Sequence, residues 1–257
     1  MTVAACAEIV ERGDPDRFLA TMTAPEADRA RLWPLYAFNL EVARAPWASA
    51  ETMLGAMRLQ FWADTLEEIE AGAPSRAHEV VRPLADLLGA EGLPVAPLAG
   101  MVEARQADLD PDAPADVAAL WSYLEATGGA LMAQAARALG AGPEIVQAAG
   151  AAGTGAAMAN WLLAAPMLTA RGRQPLPEPV ALLAAEGRAR LSHARRMARA
   201  AGGVPPRIRP AFRTAWRAPA LLRMAEADPA RVAAAGLVQS EFVRRGTLLW
   251  RTIRGSW

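Results

Sequence analysis

The feature that most restricts the fold of this chain is a long stretch without a charged residue, from residue 145 to residue 169. About 20 apolar residues can span a bilayer, so the length alone permits a membrane-spanning helix. The composition argues against one, because the stretch is mostly Ala and Gly and also contains Gln147, Thr154, Asn160 and Pro166. We therefore predict a central helix that is buried on all sides.

The rest of the sequence also favours helices over strands. Ala and Leu are abundant, and Ala loses no side-chain entropy in a helix. Prolines and glycines separate helix-length segments, and the predicted helices cover residues 25–44, 49–72, 76–90, 95–108, 115–140, 143–170, 177–201, 207–226 and 228–252, after a short segment around residues 16–22. The predicted fold class is therefore all-α. Because no stretch has the composition of a linker, we expect a single domain over residues 1–257.

The helix predicted over residues 49–72 has the clearest amphipathic pattern, with Ser49 as its N-cap. Steps of three and four residues predict one buried stripe, formed by Leu54, Met57, Phe61, Trp62, Thr65 and Ile69. The carboxylates of Asp64, Glu67 and Glu68 fall on the other side of this helix, where a solvated face is expected.

The formal net charge of zero hides an asymmetry along the chain. Residues 1–170 hold 22 acidic and 10 Arg residues, whereas residues 171–257 hold 5 acidic and 17 Arg residues, and the chain has no Lys. Either the two parts pair with each other inside one fold, or the basic part forms a face for anionic lipid or an acidic partner. No recognised nucleic-acid module accompanies the Arg residues, so a nucleic-acid partner is not expected.

The sequence predicts a cytoplasmic protein. Its one cysteine, Cys6, has no partner for an internal disulfide. The acidic N-terminal residues Glu8, Glu11, Asp14 and Asp16 are unlike those of a secretory or targeting peptide. A basic C-terminal segment, in which Arg244, Arg245, Arg251 and Arg254 alternate with Phe242, Leu248, Trp250 and Trp257, adds the expectation of peripheral contact with the inner face of the membrane.

Single residues offer little chemistry. His78 and His193 lie far apart in the sequence and are interpreted as solvated surface residues, and Cys6 has no nearby basic residue to lower its pKa. No Gly-rich phosphate loop or paired-cysteine motif occurs either.

A series of short segments, taken in order, is more specific. The segments are residues 17–19 (Arg-Phe-Leu), 24–26 (Ala-Pro-Glu), 35–38 (Leu-Tyr-Ala-Phe), the Trp62 helix with its Ala71-Gly72 end, Tyr123, Gly128-Gly129, Gly155 with Ala157, and residues 171–173 (Arg-Gly-Arg) followed by Leu176-Pro177. Over roughly residues 14–200 their order and spacing resemble the squalene/phytoene synthase family. That family joins two prenyl diphosphates head to head, so the resemblance implies an isoprenoid-synthase-like helical bundle around a central cavity.

The sequence departs from this family where its chemistry resides. The family uses two Asp-rich clusters, because Mg²⁺ binds carboxylate oxygens and bridges to the diphosphate. The first cluster would place aspartates near Ala43, Arg44 and Trp47, where Glu41 is the only acid nearby. The second would lie between Gly155 and Arg171, a range without any acidic residue. The pattern is more similar to a subgroup of this superfamily that lacks the Asp-rich motifs and includes a mitochondrial complex I assembly factor.

Three functions compete on this sequence. The first is a catalytically degenerate, non-enzymatic helper in respiratory complex I assembly, with a protein client. The second is a prenyl diphosphate transferase with a rebuilt Mg²⁺ site, using Glu41, Asp64, Glu67 and Glu68 for the metal and Arg58, Arg171 and Arg173 for the diphosphate. The third is a module that holds an isoprenoid or lipid without reacting it, in a cavity lined by small residues such as Gly155, Ala156 and Ala159.

We favour the first function, because both carboxylate clusters are missing while the core pattern is retained. No catalytic residue, metal ligand or cofactor is expected under it, and Mg²⁺ enters only with the second. The candidate cavity residues implied by the resemblance are Tyr36, Asn39, Glu41, Arg58, Tyr123, Gly155, Asn160, Arg171 and Arg173.

Overall fold

The computed structural model describes residues 2–49, 51–112 and 114–257, and within them it contains helices and no strand. The helices are α1 (Val3–Gly13), α2 (Pro15–Thr21), α3 (Glu26–Arg44), α4 (Thr52–Glu70), α5 (Val81–Glu91), α6 (Ala96–Ala104), α7 (Val117–Leu124), α8 (Ala130–Ala138), α9 (Pro143–Ala170), α10 (Val180–Ala200), α11 (Arg209–Arg213), α12 (Ala218–Ala227), α13 (Ala230–Ala233) and α14 (Glu241–Ile253). Short 3₁₀ turns follow α3 and α6, and a π turn (Glu125–Gly129) joins α7 to α8. The prediction of an all-α fold is confirmed.

Helix α9 lies at the centre and has the bounds that the sequence predicts. Pro143 opens its first turn, where the missing N–H costs nothing, and Pro166 is accommodated near its end. The helix packs against α8, α10 and α12, and most of its side chains are buried. Within the described ranges, no helix combines the length and the apolarity that a bilayer span requires.

Close approach of backbones explains why α9 is rich in small residues. A Cβ atom at Gly153 would lie 2.3 Å from the carbonyl oxygen of Gly128, so the π turn rests directly on α9. A Cβ atom at Gly155 would lie 2.9 Å from the carbonyl oxygen of Gly187 on α10. Side chains at these positions would push the neighbouring elements away from α9.

Several predicted helices are interrupted in the structure. The helix expected over residues 115–140 contains the π turn, because Gly128 and Gly129 pack on α9 there. The prediction of one helix over residues 207–226 is wrong, since a turn separates α11 from α12. Helix α12 is a new helix with a proline in its first turn. The prediction over residues 228–252 is also wrong, since Ala235 has a positive φ of 52° and α14 begins only after the Ser240 cap.

The start of α4 and its buried face differ from the prediction. The helix begins at Thr52, without a side-chain cap from Ser49. Ala50 in that predicted helix, and Ala113 in the break predicted at Pro111–Pro114, lie outside the described residues. The buried face runs through Gly55, Leu59, Trp62, Thr65 and Leu66, whereas Leu54 and Met57 are exposed. Gly55 explains the difference, because it packs against the backbone of Pro46. This contact makes the Gly55 side of α4 the buried side and leaves Leu54 and Met57 exposed.

Candidate functional site

A cavity of about 540 Å³ lies beside α9. Its wall combines the α1–α2 junction, α3, both 3₁₀ turns, α7, the π turn, α9 and the segment from Thr214 to Leu221. The lining residues are Gly13, Asp14, Asp16, Arg17, Asn39, Ala43, Trp47, Arg105, Asp108, Tyr123, Leu124, Thr127, Gly128, Leu131, Ala156, Ala157, Asn160, Trp161, Leu163, Ala164, Met167, Leu168, Thr214, Trp216, Arg217, Ala218 and Leu221. The part of this lining that α9 contributes is therefore apolar, and the ionic groups belong to the other elements.

The apolar side is formed by α9. Over three turns it presents Ala, Trp, Leu and Met side chains to the cavity, and Asn160 is its one strongly polar contribution. None of the α9 residues that line the cavity is ionisable. On α3, Asn39 and Ala43 line the facing wall, and no carboxylate accompanies them there.

The first ionic group, here called the Asp108 cluster, consists of Arg105, Asp108, Tyr123 and Arg173. The buried carboxylate of Asp108 accepts a hydrogen bond from the Tyr123 hydroxyl at 3.0 Å and one from Arg105 at 3.2 Å. Arg173 donates to the backbone carbonyl oxygens of Asp108 at 3.0 Å and Ala107 at 3.1 Å. The 3₁₀ turn that carries Asp108 is thereby tied to the end of α9 and to α7.

Burial and neighbouring charges act on the protonation of Tyr123 and Arg105 in this cluster. Burial raises the pKa of Tyr123 well above its ordinary value, so the phenol stays neutral and donates to Asp108. Burial works against the charge of Arg105, but Tyr123 and Asp108 outweigh it, and the pKa of Arg105 is raised on balance. Neither Tyr123 nor Arg105 is therefore poised to exchange a proton near neutral pH.

The second ionic group, here called the Asp16 cluster, consists of Asp16, Arg217 and Arg244. One carboxylate oxygen of Asp16 binds Arg217, and the other lies 3.4 Å from a guanidinium nitrogen of Arg244 on α14. Arg217 also donates to the side-chain oxygen of Gln239 at 2.9 Å. The start of α2 is thus joined to the C-terminal helices by a charge pair in the cavity wall.

The third carboxylate of the lining, Asp14, caps α2. It accepts the backbone N–H of Arg17 at 2.9 Å, and its other oxygen lies 3.5 Å from the Arg17 side chain. The Arg17 guanidinium lies over the ring of Tyr36 at 5.2 Å. Burial raises the pKa of Tyr36, whose hydroxyl has no hydrogen-bond partner among the described residues.

These contacts test whether the cavity fits the Mg²⁺ that the family resemblance implies. The cavity carboxylates Asp14, Asp16 and Asp108 each lie within 4 Å of an Arg side chain, so their charge is already compensated. Among the described residues no group of three or more acidic, His or Cys side chains has the arrangement of a metal site. Since Mg²⁺ with a diphosphate needs several uncompensated carboxylates, this donor set does not fit it.

The carboxylates considered for a rebuilt site lie elsewhere. Glu41, Asp64, Glu67 and Glu68 are absent from the cavity lining. Arg76 binds Glu68 through two hydrogen bonds of 2.7 Å and 2.6 Å and lies 3.9 Å from Asp64. Asp64 and Glu68 thus form a surface ion-pair group with Arg76, on the side of α4 where the sequence predicts a solvated face, whereas Glu41 belongs to α3.

The structure separates the candidate residues inferred from the sequence. Asn39, Tyr123 and Asn160 line the cavity. Tyr36 lies behind Arg17. Glu41 and the exposed Arg58 lie outside the lining, and Gly155, with Ala159, belongs to the packed interior of α9. Ala156 is the one member of the proposed small-residue lining that reaches the cavity.

Arg171 and Arg173 line a neighbouring cavity of about 580 Å³. Trp47 and Asp108 belong to the walls of both cavities. The Trp47 ring lies under the guanidinium groups of Arg171 and Arg173, at 5.0 Å and 5.3 Å from its centroid. The Arg-Gly-Arg segment therefore contributes to the partition between two cavities.

Sequence reasoning missed most of the ionic wall: Asp14, Asp16, Arg105, Asp108 and Arg217. Asp14 followed by Pro15 at the start of a helix was a usable signal, since Asp favours the N-cap and Pro the first turn. Arg217 gave no local signal, because its partner Asp16 is 201 residues away, and Arg173, which binds the backbone at Asp108, is 65 residues away from it.

Comparison with known proteins agrees with this architecture. A model of the squalene/phytoene synthase family matches residues 10–239. The squalene synthase HpnC from Alicyclobacillus acidocaldarius superimposes with a TM-score of 0.70 at 18% identity, over 88% of this chain and 93% of that one. A dehydrosqualene synthase gives a TM-score of 0.66 at 16% identity, over 98% and 95%. At these identities, the structural likeness concerns the fold.

A curated relative has a different role from these synthases. It is NADH dehydrogenase (ubiquinone) complex I, assembly factor 6, from Homo sapiens, which is 28% identical over 127 residues. The match covers 49% of this chain and 38% of that protein, so well under two thirds of the relative is spanned. Because the family model extends over most of the sequence, the chain belongs to the squalene/phytoene synthase family.

Proposed function

We propose that this protein does not ionise prenyl diphosphates and serves as a helper in the assembly of respiratory complex I. The observation that carries the proposal is the α9 wall, which offers no ionisable side chain to the cavity. Each cavity carboxylate is bound by an arginine, so a diphosphate–metal complex would have to break an existing ion pair. The similarity to the human assembly factor supports complex I subunits as the client.

We propose further that the cavity holds the chain of an isoprenoid or another lipid without reacting it. Its volume of about 540 Å³ is within the range of small-molecule sites, and the α9 side is apolar. The polar wall opposite would face the head of such a ligand. The protein would work at the inner face of the membrane, where complex I subunits and isoprenoid lipids are both present.

The competing function is a prenyl diphosphate transferase with a rebuilt Mg²⁺ site. The surface carboxylates on α4 argue against this transferase function, because Arg76 already neutralises Asp64 and Glu68. A turnover assay separates the two functions. Purified protein would be given farnesyl or geranylgeranyl diphosphate with Mg²⁺, with and without NADPH, beside an active phytoene synthase as control. We expect no pyrophosphate release, and turnover abolished by a chelator would overturn the non-catalytic proposal.

Complex I itself provides the second test. Deletion of the gene is expected to lower the amount of assembled complex I on native gels, and the wild-type gene restores it. The paired variants Asp108→Asn and Asp110→Asn would distinguish the buried cavity carboxylate from an exposed neighbour. Unchanged complex I after deletion would remove this client. Folded Asp108→Asn protein that complements fully would show that the cavity is dispensable.

A further inference from the structure

Helix α14 exposes a stripe of large apolar side chains. Phe242 is 87% exposed, Ile253 71%, Leu249 62% and Trp250 55%. At 100° per residue, Phe242, Leu249 and Ile253 fall within about 40° of one another on the helix surface, with Gly246 between them. Single exposed apolar residues are ordinary, but a contiguous stripe marks an interaction surface.

The opposite side of α14 holds the helix on the protein, and it is the more polar side. Leu248 is buried with Ala20 and Trp216. Arg244 binds Asp16 in the cavity wall. Burial lowers the pKa of Arg251, and the positive charges of Arg195 and Arg223 lower it further. The helix therefore docks through one leucine and two arginines and turns its largest apolar surface to the outside.

Positive charge is concentrated behind α14, on its docked side, and at its C-terminal end. Arg195, Arg199, Arg223 and Arg251 have no carboxylate within 4 Å among the described residues, and the pKa of Arg195 is lowered by burial and by its Arg neighbours. Arg254 lies over the Trp250 ring at 4.2 Å, at the end of the helix. A helix is about 10 Å across, comparable to the Debye length at moderate salt, so these charges act on whatever covers the stripe.

The combination selects among possible occupants. A second copy of this chain would bring one arginine cluster against another, which is electrostatically unfavourable. A lipid bilayer with anionic headgroups supplies an apolar layer and, at its edge, a plane of phosphates. The stripe matches the apolar layer, and the exposed Arg245 and Arg254 beside it match the plane of phosphates.

We infer that α14 lies in the interface of an anionic bilayer, with Phe242, Leu249 and Ile253 among the acyl chains and the exposed Arg245 and Arg254 at the phosphates. The Arg244–Asp16 pair ties this helix to the cavity wall, so the docked protein holds its cavity beside the membrane. The inference rests on α14 alone and stands whether or not complex I is the client.

Vesicle flotation tests the inference. The full chain would be mixed with vesicles of phosphatidylcholine alone or of phosphatidylcholine with phosphatidylglycerol. The test variant is Phe242→Ser/Leu249→Ser/Ile253→Ser. The matched control is Met53→Ser/Met57→Ser/Leu182→Ser, which removes three apolar side chains of similar exposure from α4 and α10. Circular dichroism and thermal unfolding verify that each variant is folded.

We expect wild-type and control protein to float with the anionic vesicles and to remain unbound to the neutral ones. The α14 variant should lose at least about tenfold in bound fraction, because each side chain loses the transfer of its apolar surface into lipid. Raised salt and Arg245→Gln/Arg254→Gln should weaken binding. The inference fails if wild-type protein does not float, if the α14 variant floats equally well, or if sedimentation shows the stripe covered in a dimer that this variant dissociates.

Discussion

Helices α9 and α14 use apolar residues in opposite ways. Helix α9, which has no charged residue after Glu144, has mainly small side chains and lies in the centre of the fold, with neighbours on most sides. Helix α14 has larger apolar residues and three arginines within its bounds, yet its apolar stripe faces outward. Apolar content therefore does not decide which of the two helices enters the core.

Side-chain volume and ion pairing explain the difference. Gly153 and Gly155 allow the backbones of the π turn and of α10 to approach α9 closely, and a larger side chain would prevent this. Helix α14 is positioned instead by Leu248 and by the Arg244–Asp16 pair. Helix α9 is therefore held by packing on most sides, whereas α14 is held along a single edge.

A charge placed on each helix should produce the largest contrast. Ala152 on α9 is fully buried, so Ala152→Asp leaves a carboxylate without water or a partner. We expect a loss of about 3–5 kcal/mol in the free energy of unfolding, as for other uncompensated buried charges. Leu249→Asp on the exposed stripe of α14 should change it by less than about 0.5 kcal/mol. Urea denaturation followed by circular dichroism measures both, and equal losses would contradict the contrast.

The next largest effect concerns the contact between α9 and the π turn. Gly153→Ala would place a methyl group 2.3 Å from the Gly128 carbonyl oxygen and 2.8 Å from Cβ of Met132. We expect destabilisation of about 3 kcal/mol, the upper end for overpacking, because a backbone must move. Gly150→Ala, one turn earlier, meets nothing closer than 3.9 Å and should stabilise α9 by about 0.5–1 kcal/mol. Identical melting temperatures for the two variants would contradict the close approach.

The sequence is sufficient to predict the position of α9 but not that of α14. The uncharged run over residues 145–169, with Pro143 before it and Arg171-Gly172 after it, predicts the bounds of α9 and its central position. The prediction that α9 is buried on all sides is wrong, because one side lines the cavity and Leu163 and Met167 are exposed. The position of α14 depends on Asp16, which is distant in the chain, so its alternating arginines and apolar residues fit two orientations equally well. The resemblance to the family correctly places Asn39, Tyr123 and Asn160 in the cavity wall. The positions of Asp108 and Arg217 in that wall are known only from the structure.

Two adjacent leucines sharpen the orientation of α14. Leu248 is 7% exposed against Trp216 and Ala20, whereas Leu249 is 62% exposed. We expect Leu248→Ala to lower the free energy of unfolding by about 2 kcal/mol, the lower end for a buried leucine, because its cluster is small. Leu249→Ala should leave stability unchanged in water and affect only binding to vesicles. The reverse order in denaturant titrations would mean that α14 docks through its apolar stripe.

The smallest effect concerns two neighbouring arginines of α14. Arg244 and Asp16 are each largely shielded from solvent, and the pair joins α14 to α2, whereas Arg245 is exposed and binds Glu241 within its own helix. Exposed ion pairs contribute little and partly shielded ones somewhat more. We expect Arg244→Gln to cost about 1 kcal/mol in the free energy of unfolding. Arg245→Gln should produce no measurable change.

Because the Arg244 pair is also the link between α14 and the cavity wall, hydrogen exchange should accelerate along α14 in Arg244→Gln. If exchange is unchanged, Leu248 and Arg251 hold the helix without Arg244, and α14 can move relative to the cavity when it docks.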